Sequence, residues 1–312
     1  MKLVVITGIA GFIASNVAKK FLDEGYNVIG LDDLSSGYLE NIPEGVDFIN
    51  CNLACNKFAD KLPSNCNLIL HLAGQSSGAI SFDDPVSDLN KNTASTLNLI
   101  QYGLTAKCDR FVYASSMSVY GDAGNCAVLE DQEAKPLSCY GVSKLASERY
   151  LSIYKDKLPF TSMRMFNVYG AGQDLTNLRQ GMVSIYVAQA VLGGHIKVEG
   201  SINRYRDFIY IDDVVSAWFN ASVYPESINE TINIGTGRKT TVEDLLRYIC
   251  LLIPESSYSI NGTTLGDQTG IYADITKFKN ILKPPELTYL DVGLPIFVNW
   301  AKENLSQTIL TY

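Results

Sequence analysis

The stretch LVVITGIAGFIA at residues 3–14 decides the fold of this chain. Its first residues, Leu3–Ile6, predict a buried β-strand, and the apolar spacing across Phe12–Glu24 predicts an α-helix. The turn between them carries Gly8 and Gly11. Gly8 permits a tight turn, and Gly11 lets a pyrophosphate approach the backbone N–H groups at the positive end of the helix. A strand, a glycine-rich turn and a helix in this order predict a dinucleotide site.

An aspartate at the end of the next predicted strand indicates which dinucleotide is bound. Asp32 follows Tyr26–Leu31 and lies about 20 residues beyond the motif, where a carboxylate binds the ribose hydroxyls. Asp33 is adjacent and no arginine is nearby, so a 2′-phosphate would be repelled. Ala14 replaces the usual third glycine, and the helix–strand contact tolerates one methyl group. The sequence therefore predicts NAD rather than NADP, with a simple turn residue at Asp32 as the alternative.

Strand and helix patterns continue to alternate through the first half of the chain. Further strands are predicted at Val46–Asn50, Leu68–Leu72, Phe111–Ser115 and Thr161–Phe166, and further helices at Leu89–Leu104 and Tyr140–Tyr154. This alternation predicts an α/β fold of the Rossmann type, a doubly wound parallel sheet with helices on both faces.

Beyond about Tyr169 the pattern changes. It predicts a loop over 170–181, a helix at Met182–Gly193, short strands at Ile196–Glu199, Asp207–Ile211 and Thr231–Ile234, and two short helices after Thr241. We expect an NAD-binding domain of residues 1–168, to which residues 207–235 return. Residues 169–206 and 236–312 would then form a smaller, discontinuous substrate domain.

The composition excludes several classes of function. The net charge is −8, whereas nucleic acids and anionic membrane surfaces require clustered Lys and Arg. No apolar run approaches the ~18–20 residues of a membrane span. The seven cysteines show no CxxC or zinc spacing, which predicts free thiols in a reducing cytoplasm. His71 and His195 are too few for a metal site. We expect a cytoplasmic protein without nucleic-acid, membrane or metal partners.

A tyrosine and a lysine four residues apart supply the expected proton chemistry. In SCYGVSK at 138–144, Tyr140 and Lys144 share one helix face. A neighbouring lysine favours the phenolate, although free tyrosine titrates at about 10. Upstream, YASSMSVYG at 113–121 offers a hydroxyl at Ser116. With a dinucleotide site, these side chains predict hydride transfer at an alcohol carbon. Taken alone, a tyrosine and a lysine at this spacing are also typical of a solvated helix face. Ser115 and Ser116 are likewise consistent with a cap at the end of a strand.

Motifs along nearly the whole chain resemble those of the extended short-chain dehydrogenase/reductases of the nucleotide-sugar epimerase/dehydratase type, and most closely the 4-epimerase pattern. The resemblance rests on TGIAGFIASN at 7–16, LDDLSSG at 31–37, HLAGQSS at 71–77, NKNTASTLNL at 90–99, YASSMSVYG at 113–121, YGVSK at 140–144, RMFNVYGAGQ at 164–173 and RDFIYIDDV at 206–214. Together these motifs specify the family closely and the substrate much less.

The resemblance implies a role for each of these side chains. Tyr140 is the acid/base, Lys144 holds the nicotinamide ribose and tunes Tyr140, and Ser116 hydrogen-bonds the sugar O4. Asn167 and Arg206 contact the substrate diphosphate. The implied NAD-binding residues are Gly8, Gly11, Phe12, Ile13, Asp32, Asp33, Ser36, Gly37, Asn52, Leu53, Leu72, Ala73, Gly74, Asn92, Tyr140, Lys144 and Phe166.

One of these cofactor residues has a second interpretation, and another differs from the family pattern. Phe166 is also consistent with core packing. Asn52 stands where the family places an aspartate against the adenine, and its amide oxygen can accept the same hydrogen bond.

The residues after Ser116 narrow the reaction. Family dehydratases place an Asp-Glu pair there, whereas this chain has Met117 and Ser118. Cys139 neighbours Tyr140, but successive helix residues point apart, which argues against a 3,5-epimerase. We expect a UDP-hexose type 4-epimerase that oxidises C4 transiently and reduces it again. The alternatives are a 4-keto-sugar reductase or dehydrogenase, an epimerase of another sugar nucleotide, and a non-catalytic NAD-sensing scaffold.

Two departures bear on the substrate. Glu199 precedes Gly200 where an aromatic residue often stacks on uracil. Residues 261–268 lack the arginine that usually clamps the diphosphate, which leaves Arg179 and Arg204 as candidate replacements.

Ile271 aligns with the residue that limits the size of the sugar pocket, and it is small enough to admit an N-acetyl group. By the same resemblance, we expect a homodimer formed through the helices at Leu89–Leu104 and Tyr140–Tyr154.

Overall fold

A parallel sheet forms the centre of the computed structural model, which describes residues 2–179, 181–262 and 269–309, with side chains up to residue 305. The strands are β1 (Leu3–Thr7), β2 (Asn27–Asp32), β3 (Val46–Asn50), β4 (Leu68–His71), β5 (Arg110–Ser116), β6 (Phe160–Met165), β7 (Asn167–Tyr169), β8 (His195–Glu199), β9 (Tyr205–Arg206), β10 (Phe208–Tyr210), β11 (Glu230–Ile234), β12 (Thr240–Thr241) and β13 (Ser257–Asn261). The helices are α1 (Phe12–Asp23), α2 (Gly78–Asp83), α3 (Pro85–Leu89), α4 (Ser95–Thr105), α5 (Cys139–Tyr154), α6 (Met182–Gly193), α7 (Ile211–Val223), α8 (Val242–Leu252) and α9 (Leu290–Ile309).

In the described part of the chain, seven strands pair in the order β11-β6-β5-β4-β1-β2-β3, all parallel. The strand order reverses between β1 and β4, and in such sheets ligands bind at the carboxyl ends of the strands beside this reversal. The expected Rossmann-type doubly wound sheet is therefore confirmed. The turn after β1 and the loop after β4 lie side by side at the reversal.

A second apolar core lies beside the sheet. It is formed mainly by α6, α8 and α9 and by β8, which pairs with β13 in a small parallel ladder. Smaller ladders join β10 to β7 and β12 to β9. No helix among residues 2–179, 181–262 and 269–309 is both long and apolar enough to cross a membrane.

The structure corrects the helix predicted at Leu89–Leu104. The segment is divided into α3, a π-helical turn at Asn90–Ala94 and α4. The hydroxyls of Ser95 and Thr96 donate to the carbonyls of Lys91 and Asn92, both at 2.6 Å. These side-chain bonds satisfy backbone groups of the wider turn, which apolar periodicity does not reveal.

Two predictions in the second half were also wrong in extent. The strand predicted at Asp207–Ile211 is only β10, because α7 begins at Ile211 with Asp212 and Asp213 favourably placed in its first turn. The second tail helix is not short: α9 has 20 residues and continues through Pro295. Its apolar side chains, buried in the second core, are Leu294, Phe297, Val298, Ala301 and Leu305.

A buried ion pair fastens α5 to the sheet. Arg164 on β6 donates through Nη2 and Nε to the two carboxylate oxygens of Glu148 on α5, at 2.7 and 2.9 Å. Both side chains are 6% exposed. Ser115 on β5 donates to the same carboxylate at 2.5 Å. Glu148 lies on the same face of α5 as Tyr140 and Lys144, so this network sets their position over the strand ends.

A second polar chain joins β1, β4 and the π-helical turn. The hydroxyl oxygen of Thr7 accepts two backbone N–H groups of the loop after β4, at 3.0 and 3.1 Å. Its proton is therefore directed to Nδ1 of His71, at 2.8 Å. This assigns the His71 proton to Nε2, which donates to Thr96 at 3.1 Å. Burial, assisted by the charge of Lys144, holds the pKa of His71 well below its usual range.

We expect replacement of Glu148 by leucine to lower the free energy of unfolding by about 3–5 kcal/mol, because it leaves the Arg164 guanidinium buried without its partner. The double replacement Glu148→Leu with Arg164→Met should cost less than the single one. Urea unfolding followed by circular dichroism measures both. Glu24→Gln, which breaks the exposed Lys20–Glu24 pair, is the control and should cost less than about 1 kcal/mol. A double variant less stable than Glu148→Leu would contradict the assignment.

The neutral state of His71 predicts a pH dependence of stability. Native His71 binds no proton, whereas unfolded histidine titrates at about 6.5, so its contribution is lost as the pH falls through that value. The stability difference between wild type and His71→Gln should therefore shrink by about 2 kcal/mol between pH 7 and pH 5. The buried carboxyl groups are the same in both proteins, so their pH-dependent contributions to the free energy of unfolding cancel in the difference. Urea unfolding at the two pH values tests this, and a constant difference would contradict it.

Candidate active site

The glycine-rich turn forms one side of a cradle at the strand ends. Gly8 has φ +73°, and a Cβ atom there would lie 2.8 Å from the backbone nitrogen of Ala73. Only glycine fits both the conformation and the space. Gly11 begins α1 without a side-chain cap, and Phe12 and Ile13 start its first turn. The first backbone N–H groups of α1 are thus available to an anion.

Asp32 is held at the end of β2 beside this turn. Its carboxylate oxygens accept the N–H groups of Ala10 at 3.0 Å and Leu34 at 2.8 Å. Burial raises the pKa of Asp32, while these backbone hydrogen bonds oppose the shift. Gly37 packs on the backbone of Ala10, where a Cβ atom would lie 2.7 Å from its carbonyl carbon. The loop after β2, with Asp33 and Ser36 exposed on it, therefore folds back on the glycine-rich turn.

Asn52 and Leu53 follow β3. Leu53 is buried, and its carbonyl accepts the side-chain amide of Asn98 at 2.8 Å. Asn52 is exposed, and its amide oxygen accepts the N–H of Ala54 at 2.8 Å. The second lone pair of that oxygen is the one that can accept from an adenine.

Close packing at the start of α5 brings the reactive hydroxyls together. Ser138 caps the helix by accepting the N–H of Gly141 at 3.1 Å. A Cβ atom on Gly141 would lie 2.5 Å from the carbonyl oxygen of Ser118, so glycine allows α5 to approach the turn after β5. Tyr140, the second residue of α5, is thereby brought beside Ser116 at the end of β5, close enough for the serine hydroxyl to act on the pKa of the phenol.

The ionisation of Tyr140 differs from the sequence-based expectation. Burial raises its pKa to about 12, the hydrogen bond with Ser116 opposes this, and the charge of Asp88 adds to it. Lys144 lies over the ring face, with Nζ 5.7 Å from the centroid. Burial lowers the pKa of Lys144 to about 8, against the charge of Asp88. Desolvation, rather than the charge of the neighbouring Lys144 ammonium, determines the direction of the pKa shift of Tyr140.

Asn92 and Gly74 form the other end of the cradle. The amide nitrogen of Asn92 donates to Asp88 at 3.0 Å, while its oxygen is buried and has no hydrogen-bond partner among the described residues. Gly74 has φ +151°, and a Cβ atom there would run into this oxygen and lie 3.4 Å from Nζ of Lys144. An unsatisfied acceptor and an ammonium thus border one glycine, which fits the ribose of a bound NAD.

The expected substrate residues lie near β7 and β10. Asn167 donates to the carbonyl of Asp207 at 3.1 Å. Arg206 is 7% exposed and donates to the carbonyl of Tyr205 at 2.8 Å. Burial and the charge of Arg204 lower the pKa of Arg206 to about 10, so it is a cation at neutral pH.

The residues singled out for substrate choice lie in different settings. Phe166, which is expected near the nicotinamide, and Ile271 are both buried in one apolar cluster, so Ile271 is not at an open surface. Arg179 forms an exposed ion pair with Asp83 at 2.7 Å. Arg204 donates to the carbonyls of Glu199 and Ser201. Of the stretch expected to lack a diphosphate clamp, residues 263–268 lie outside the described residues.

The structure thus brings Ser116, Tyr140, Lys144, Asn92 and Gly74 into one group. Asp88, which contacts this group, was not identified from the sequence. The available signal was an acidic residue one helical turn before Asn92.

Comparisons with known proteins identify the family of the chain. The model of the NAD dependent epimerase/dehydratase family matches residues 4–235. A putative UDP-glucose 4-epimerase of Methanocaldococcus jannaschii is 32% identical over 307 residues, covering 97% of this chain and 99% of that protein. The crystal structure of a UDP-glucose 4-epimerase of Thermotoga maritima with UDP-glucose matches with a TM-score of 0.91 and 30% identity, covering 97% of this chain and 99% of that one.

Relatives with other activities match as well. A trifunctional protein of Arabidopsis thaliana, named as a UDP-glucose 4,6-dehydratase, 3,5-epimerase and reductase, is 28% identical over 323 residues that cover 97% of this chain and 47% of that protein. Family membership therefore fixes the fold, the cofactor and the class of substrate more firmly than the reaction. The chain belongs to the NAD dependent epimerase/dehydratase family of enzymes, which act on nucleotide sugars with NAD as cofactor.

Proposed function

We propose that the protein is a nucleotide-sugar 4-epimerase of the UDP-hexose type. The observation that carries the proposal is the placement of Tyr140 next to Ser116, beside the cradle formed by Gly74, Asn92 and Lys144. The two 4-epimerase relatives, which align along nearly the whole chain, support the same reaction.

In this proposal Tyr140 removes the proton from the sugar O4 hydroxyl and later returns it, while Ser116 holds O4 by a hydrogen bond. Both side chains are 8% exposed, so bulk water has little access to the proton. Because the pKa of Tyr140 is raised to about 12, its ionisation needs a favourable charge nearby. When bound, NAD supplies the carbon that takes and returns the hydride, and its oxidised form supplies that positive charge.

The two residues after Ser116 favour epimerisation over dehydration. Elimination across C5 and C6 needs an acid and a base at these positions. The sulfur of Met117 accepts a hydrogen bond from the side-chain amide of Asn167 at 3.5 Å. The hydroxyl of Ser118 accepts one from Ser116 at 3.2 Å. Neither side chain can exchange a proton near neutral pH as a carboxyl group does.

Arg206 is proposed to bind the substrate diphosphate. It is nearly buried and remains a cation at neutral pH, so a dianion beside it would be held by charge-assisted hydrogen bonds. Asn167 on β7 pairs with Phe208 on β10, two residues along the chain from Arg206. We propose the corresponding division of the chain: residues 1–168 and 207–235 hold NAD, while residues 169–206 and 236–312 hold the sugar nucleotide.

An apolar surface on the outer helices supports a homodimer. We define the α2–α5 face by Phe82, Val86, Leu89, Val142 and Ile153, which are between 48% and 71% exposed. Helices α2 and α3 both contact α5, so these side chains lie on neighbouring elements. We propose that two copies of the chain associate through this face, since burial of such side chains from water is favourable.

The proposed reaction predicts that the purified protein converts UDP-glucose or UDP-N-acetylglucosamine to the galacto epimer with no cofactor added. Proton NMR of the anomeric signals measures the conversion. Tyr140→Phe should lower the rate at least about 100-fold, because proton transfer is lost. Tyr150→Phe, a matched change on the outer side of α5, should leave the rate unchanged.

Two outcomes would overturn this proposal. Full activity of Tyr140→Phe would remove the assigned acid/base. Conversion that requires added NADH and consumes it stoichiometrically would instead identify a 4-keto-sugar reductase.

The dimer predicts that Val86→Glu or Ile153→Glu shifts the mass in solution from two chains to one, because a charge would be buried in the apolar contact. Size-exclusion chromatography with light scattering measures the mass. Leu251→Glu places the same charge on an exposed leucine of α8 and should leave the dimer intact. A wild-type protein with the mass of one chain would contradict the proposal.

A further inference from the structure

Asp88 is a fully buried carboxylate beside the candidate active site. It lies on α3 and is 0% exposed. Its oxygens accept hydrogen bonds from the amide of Asn92 at 3.0 Å and from the hydroxyl of Ser143 at 2.6 Å. Both donors are neutral, so a negative charge at Asp88 needs a cation nearby. Burial raises the pKa of Asp88, and the charge of Lys144 acts against this shift, so the two charges favour each other.

Asp88 also fixes which way the amide of Asn92 points. Because the carboxylate takes the amide nitrogen, the amide oxygen is directed elsewhere, and it finds no hydrogen-bond partner in the described residues. This oxygen and Nζ of Lys144 both border the α-carbon of Gly74. One buried carboxylate therefore acts on two neighbouring groups of the cradle.

The other groups around Lys144 do not replace this charge. Nζ lies 5.1 Å from the ring centroid of Tyr113 on β5 and 5.7 Å from that of Tyr140 on α5. His71 on β4 faces it and is neutral. Burial lowers the pKa of Lys144 to about 8, and among the described residues the charge that opposes this shift is that of Asp88.

We propose that Asp88 is a positioning residue, which orients the Asn92 oxygen toward Gly74 and supplies the negative charge that acts on Lys144 at the nicotinamide-ribose end of the NAD site. This role of Asp88 rests on the proposed function only because Lys144 and Asn92 are taken there as residues of the NAD site. It does not depend on which sugar nucleotide is the substrate.

The test is Asp88→Asn, which keeps the shape of the side chain and removes its charge. The readout is the rate at which bound NAD exchanges for its fluorescent etheno analogue, measured between pH 6 and pH 9 without any sugar. In wild type this rate should rise above about pH 8, as Lys144 loses its proton. Removal of the negative neighbour makes that proton easier to lose. The rise should move down by about one pH unit, so that the deprotonated fraction of Lys144, and the exchange that depends on it, is roughly 10-fold larger at pH 6 and about 2-fold larger at pH 8.

Two further variants sharpen the result. Asp84→Asn changes the exposed carboxylate that caps α3 and should leave the pH of the rise unchanged. Ser143→Ala removes one donor to Asp88 without replacing the carboxylate, which weakens the charged form. It should shift the rise in the same direction by a smaller amount, and it tests the proposal even if Asp88→Asn does not fold.

An Asp88→Asn protein whose rate rises at the wild-type pH, or is raised equally at every pH, would overturn the proposal in favour of a structural role. So would an unchanged or upward shift in Ser143→Ala. NAD exchange is measured without sugar, so its result does not depend on epimerase activity. A protein with the expected exchange but without epimerisation would contradict the proposed function and leave the role of Asp88 standing.

Discussion

The packing of α5 on the carboxyl ends of β5 and β6 is the constraint on which the site depends. At its first turn the backbone of Gly141 touches the carbonyl of Ser118, and further along the helix Glu148 is bound by Arg164 and Ser115. These contacts leave α5 little freedom to rotate or slide. Tyr140 and Lys144 are carried between these two contacts, so the packing of α5 determines their placement against Ser116.

The sequence predicted the parts of the molecule that depend on local pattern. The strand–turn–helix at residues 3–23 and the aspartate that ends β2 have direct signatures in residue type and spacing. The π-helical turn does not, because its carbonyls are satisfied by hydroxyls within a helical pattern. The ionisation of Tyr140 was predicted in the wrong direction, since desolvation depends on residues far apart in the chain. Asp88 was missed for the same reason.

Charge is handled locally in this protein. The chain carries a net charge of −8, yet the proposed site for an anionic substrate contains the buried cations Arg206 and Lys144. His71, between the glycine-rich turn and Asn92, is kept neutral by burial and by the charge of Lys144. A few desolvated groups with fixed protonation states therefore set the local field, and the overall charge of the surface has little influence on it.

The π-helical turn at Asn90–Ala94 has a consequence for how this site could arise and be lost. Such a turn contains one residue more than a regular helix of the same length. Deleting a residue between Asp88 and Asn92 would restore the regular hydrogen-bond pattern, but it would rotate Asn92 by about 100° relative to Asp88. A shorter and more regular helix would thus change the direction of the Asn92 oxygen at Gly74. The π-helical turn lowers the local stability of the helix, and it also positions the amide oxygen of Asn92.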